Sequence, residues 1–71
     1  MFVYLNQLRD DEVVCFDVDN IREFHPQEIE ISEGNTKKGT AILLYHGDPW
    51  IVKQGVYTVY QMCQKAKRGE L

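Results

Sequence analysis

Only one stretch of this chain carries a helical repeat. From Gly55 to Lys67 the residues Val56, Val59, Tyr60 and Cys63 recur at i, i+3, i+4 and i+7, the spacing that lines one face of an α-helix. Gly55 is acceptable as an N-cap. Lys65, Lys67 and Arg68 complement the helix dipole at the other end, and Gly69 is placed to stop the helix. Everything upstream is short, β-rich and cut by turn residues. One helix set against several short strands predicts an α+β fold. The expected architecture is a small twisted antiparallel β-sheet of four to five strands with one C-terminal α-helix.

The strands follow from local composition. Phe2 to Leu8 is rich in β-branched and aromatic residues, Arg9 to Glu12 is a polar turn, and Val13 to Phe16 completes a hairpin. Asp17 to Asn20 reads as a turn, with a single 3₁₀ turn over Asp19-Asn20-Ile21. A new extended piece runs from Ile21 to His25. Pro26 belongs at an edge or a bulge, and Glu28 to Ser32 alternates as a half-exposed strand. Glu33 to Gly39 reads as a polar, mobile loop. Thr40 to Tyr45 and Trp50 to Lys53 form a second hairpin around His46-Gly47-Asp48-Pro49. A four-residue loop there would pair Tyr45 with Trp50, Leu44 with Ile51 and Leu43 with Val52. That register places Ile42, Leu44 and Ile51 on one face and Ala41, Leu43, Tyr45, Trp50 and Val52 on the other, so both faces are apolar.

Seventy-one residues make one domain, residues 1–71. A chain this short buries only about 60% of its unfolded surface, so its core is small and self-association is a common source of added stability. One helix covers one face of a sheet. The second apolar face is therefore expected either to be covered by the first hairpin or to meet another molecule, a homodimer being one form of the latter.

The apolar fraction of 44% and charged fraction of 27% are those of a globular chain. The net charge of −3 weighs against a nucleic-acid ligand. No apolar run approaches the length of a membrane span, and Met1 to Leu8 has neither a basic leader nor a small-residue cleavage site. A cytoplasmic chain is expected, with Cys15 and Cys63 as buried free thiols rather than a disulfide pair.

Catalytic signatures are missing from the sequence. It has no G-x-S-x-G elbow, no Cys–His pair at a family spacing and no Gly-rich phosphate loop. Cys15, His25, His46 and Cys63 lack the paired spacing of a metal site. Asp17 with Asp19, and Glu28 with Glu30, read as solvated strand edges that discourage edge-to-edge aggregation. His46 is a turn histidine, and Lys53 ahead of the helix start could hold an anion. No enzyme, cofactor or metal is expected.

A further pattern runs through most of the chain. Val3-Tyr4-Leu5 leads through Leu8 and Glu12 to Asp19-Asn20-Ile21-Arg22-Glu23-Phe24. Thr40-Ala41-Ile42-Leu43-Leu44, Gly47, Trp50-Ile51-Val52-Lys53, Val56 and Val59 follow. This order resembles the small flagellar FlbD family and its Gram-positive relative SwrD. The chain has Gly55 where that family usually places Ser, and a longer segment from Pro26 to Gly39. The resemblance implies a β-rich body stepping through Val52-Lys53 into a helix, and a bacterial motility component as partner. The segment Thr40 to Ala66 also looks like one part of LytTR-type DNA-binding domains.

Two functions are therefore expected in competition. The first is a non-catalytic interaction or accessory regulatory module that contacts protein through Ile42, Leu44, Ile51, Tyr57 and Met62. Tyr57 and Met62 enter because they fall off the helix stripe, and aromatic and Met side chains favour interfaces. The second is a small transcriptional regulator binding nucleic acid through Lys37, Lys38, Lys53, Lys65, Lys67 and Arg68.

Overall fold

The computed structural model describes residues 1–69. Five strands and a 3₁₀ turn precede a single helix: β1 (Phe2–Asn6), β2 (Val13–Asp17), the 3₁₀ turn (Val18–Asn20), β3 (Ile21–Ser32), β4 (Asn35–Leu44), β5 (Trp50–Val52) and α1 (Val56–Lys67). The α+β class holds. The strands form two antiparallel sheets, β1-β2 and β3-β4-β5. An isolated bridge between Gln7 and Val52 joins them. Leu8 N–H donates to Ile51 at 2.9 Å and Lys53 N–H donates to Asn6 at 2.8 Å, so the end of β1 runs alongside β5.

Turn chemistry sets the first hairpin. Phe2 pairs with Asp17, Tyr4 with Cys15 and Asn6 with Val13. The connection closes through Gln7 N–H to Glu12 and Asp11 N–H to Gln7. Asp11 takes a left-handed backbone at φ 63°, a conformation that Asp tolerates better than most residues. Asp10 accepts from Glu12 N–H with its carboxylate, the short polar bond that makes Asp a turn former. At the end of β2, Asp17 Oδ1 accepts from Asp19 N–H and caps the 3₁₀ turn, which begins one residue before its expected start.

The core lies between α1 and the inner face of the strands. Val3 and Leu5 of β1, Phe16 of β2, Val18, Ile42 of β4, Val52 of β5, and Val59, Cys63 and Ala66 of α1 form one buried cluster. Val3, Leu5, Ile42, Val52 and Val59 are fully buried. Truncating Leu5 or Ile42 to alanine typically costs about 2–5 kcal/mol. Thr40, the one buried polar residue among those described, donates its hydroxyl to Gln54 C=O at 2.7 Å. Gln54 also donates to Asn6 Oδ1 and accepts from Asn6 N–H, which ties the entry of α1 to the end of β1. Gly69, at φ 73°, follows the helix as expected and donates to Ala66.

Several expectations need correction. Glu33 to Gly39 is not a loop: β3 and β4 form one long ribbon closed by Glu33-Gly34 alone, with Ser32 opposite Asn35. Gly34 at φ 79° makes that tight turn, and cross-strand pairing carries Thr36 to Lys38 as strand despite their polarity. Pro26 sits within β3 on its free edge, while the register shifts fall at Ile21/Glu23 and Glu30/Ser32.

The second hairpin pairs Thr40 with Val52, Ala41 with Ile51 and Ile42 with Trp50. This differs from the expected register by three residues. An odd shift moves every side chain to the opposite face. β5 is held in this register from its other edge, where Leu8 N–H donates to Ile51 and Lys53 N–H donates to Asn6, while the chain beyond Ile42 stays with β3 and Asn20. Leu43 and Leu44 pair with β3, and Tyr45 N–H donates to Asn20. Asn20 then exchanges two more bonds with the His46 backbone.

Consequently Ile42 is a core residue and no outward Ile42–Leu44–Ile51 face exists. Tyr45 does not pair with Trp50. Trp50 instead meets Phe16 edge-on, with ring centroids 6.2 Å apart and an interplanar angle of 85°. On α1, Tyr60 is exposed and Ala66 takes the buried place expected for it. Cys15 is exposed as well, because the first hairpin has only one covered face.

Candidate interaction surface

The pleat of the first hairpin divides its side chains sharply. Val3, Leu5 and Phe16 point into the core. Phe2, Tyr4, Val13 and Cys15 share the opposite face, since β1 and β2 pair Tyr4 with Cys15 and side chains alternate along each strand. That face is open: Phe2 is 57% exposed, Tyr4 64% and Val13 66%. Met1 is also exposed beside it. Contiguous exposed apolar side chains of this size mark a contact surface more often than scattered single residues do. Composition hid this face, because Phe2 to Leu5 is apolar at every position. Only strict alternation with Val3 and Leu5 inside could have revealed it.

The residues first expected to make protein contacts scatter across the fold. Ile42 is fully buried. Leu44 and Met62 are half-buried and pack against the core cluster. Ile51 is half-buried on the face opposite Ile42. Tyr57, 71% exposed, is the one that stands out into solvent, and its hydroxyl accepts from Gln61 Nε2 at 3.0 Å. The structure does not gather the five into one surface.

The cations of the nucleic-acid expectation divide among elements. Lys37 and Lys38 lie on the ribbon part of β4, and Lys65 and Lys67 lie in the last turn of α1 with Arg68 at its cap. Lys53 Nζ pairs with Asp11 at 2.6 Å, so it is engaged at the β1–β2 turn rather than poised for an anion at the helix start. Asp17 serves the 3₁₀ turn, and Glu28 accepts from the Thr36 hydroxyl on the exposed ribbon. Among the described residues no three His, Cys, Asp or Glu side chains are grouped as a metal site. None of the described helices is long and apolar enough to cross a membrane.

The two thiols differ in kind. Cys63 is buried against the core, and burial pushes its pKa up from the ordinary 9.0, an effect that Lys67 partly opposes. Cys15 stands on the open hairpin face. No family model matches the chain, and no significant match exists among curated proteins or solved structures.

Proposed function

We propose that this chain is a non-catalytic protein-interaction module that self-associates through the outer face of β1 and β2. The exposure of Phe2, Tyr4 and Val13 on one face of a two-stranded sheet carries this reading. Burying such a face against a like face removes apolar surface from water at about 25 cal/mol per Å². A small domain with a single-helix core gains stability in this way. Closed two-fold dimers are the commonest soluble assemblies, and an isologous contact of this kind needs one self-complementary patch only.

The resemblance to the FlbD and SwrD proteins supports an accessory or regulatory role for the module, in the bacterial cytoplasm, with a motility component as its further partner. The nucleic-acid alternative has less support, because no single element gathers the cations it needs. Light scattering over a wide concentration range tests the proposal. The native chain should move toward twice the monomer mass as concentration rises, and Tyr4→Glu should hold it at monomer mass without loss of fold. A native chain that stays monomeric at every concentration would contradict it.

A further inference from the structure

A cleft of about 380 Å³ opens between the β1–β2 turn, the β4–β5 loop and the base of the ribbon. Its volume lies within the range of ligand pockets, at the small end. Ile29, Pro49, Trp50 and Ile51 supply apolar lining, and Arg9 and Asp48 line it as well. Trp50 borders the cleft from the core side of β5, where its ring meets Phe16 edge-on.

Arg22 pairs with Glu23 and Lys53 with Asp11, whereas among the described residues neither Arg9 nor Asp48 has an ion-pair partner. Neither side chain donates or accepts a hydrogen bond among the described residues, and the same is true of the Trp50 indole N–H. An apolar lining with one free guanidinium and one free carboxylate is complementary to a ligand that carries both charges and an apolar group.

From this complementarity we infer that the cleft binds a short peptide segment of a partner protein, in which one large apolar side chain lies between an acidic and a basic residue. The apolar side chain rests on Ile29 and Ile51, which share one face of the sheet. The ligand carboxylate meets the planar fork of Arg9, a geometry that gives two parallel charge-assisted hydrogen bonds. The ligand cation meets Asp48. This site is separate from the hairpin face and extends the interaction-module reading to a second, heterologous partner, and to that extent it rests on that reading.

Trp50 is the chain's single tryptophan, so its emission reports the site directly. The probes are capped synthetic peptides with a central Leu between Asp and Arg, the spacing between charges being varied, and matched peptides carrying Asn and Gln instead. At least one charged spacing should shift Trp50 emission saturably. Arg9→Gln and Asp48→Asn should each weaken that binding about tenfold or more, as expected for a lost charge-assisted bond. Both positions are exposed, so the variants should keep the native circular dichroism. The double reversal of Arg9→Asp with Asp48→Arg should prefer the peptide of reversed charge order.

Equal binding of neutral and charged peptides would overturn the inference, as would indifference to both single variants. Silence toward every peptide would remove the cleft site and leave the hairpin-face reading standing. A monomeric chain that still binds a charged peptide would do the reverse.

Discussion

At the scale of single residues, position in the pleat decides more than residue type. Cys15 and Cys63 look alike in the sequence, each within an apolar pattern, yet one is exposed and one buried. Alkylation should therefore modify Cys15 readily in the native protein and Cys63 only as the chain unfolds, which mass spectrometry of each peptide can follow. Burial raises the Cys63 pKa, so the folded state holds that proton more tightly than the unfolded state does. Its contribution is fully present below the ordinary value of 9.0 and declines as pH rises through the higher folded value. Urea unfolding from pH 8 upward should show this decline, and Cys63→Ala should flatten it. Gly39 is a second case. A Cβ there would run into the Val52 carbonyl oxygen and lie 3.1 Å from Leu8 Cδ2. Gly39→Ala should cost about 1–3 kcal/mol or more in chemical denaturation, in the manner of an overpacked core. No sequence pattern marks Gly39, because the close approach comes from chain segments distant in sequence.

At the scale of elements, local signals identified α1, its stop at Gly69 and the first hairpin, because each depends on near neighbours. The second hairpin escaped. Its register rests on the end of β1 holding Ile51 and Lys53 and on Asn20 holding Tyr45 and His46, and none of these partners is local. The long ribbon was hidden for a related reason. Residues 33–39 carry turn formers and charges, and cross-strand partners rather than propensity make most of them strand. From Gln27 to Lys38 the ribbon is exposed apart from half-buried Ile29. A two-stranded ribbon with little apolar cover is only marginally stable alone. Its amides should exchange with solvent faster than those of β1 and the Thr40–Ile42 part of β4, by native-state hydrogen exchange. Equal protection along β3 would show that something else covers the ribbon.

At the scale of the whole molecule, the principal extents of 41 × 22 × 19 Å describe an elongated body. The class and the single helix were legible in the sequence, and so was the prospect of an unsatisfied apolar face. The identity of that face was not. The expected one, with Ile42, Leu44 and Ile51, dissolves when the register moves by three, and Phe2, Tyr4 and Val13 take its place. Val13→Glu, like Tyr4→Glu, should lower self-association while leaving the core intact, and Tyr57→Ala should not. The central claim can be read most directly from Cys15, which shares the hairpin face with Tyr4 and Val13. Its alkylation rate would be measured from low to high protein concentration. Cys15 should be modified progressively more slowly as the chain self-associates, in step with the mass from light scattering. A rate that stays constant while the mass doubles would place the contact elsewhere and contradict it.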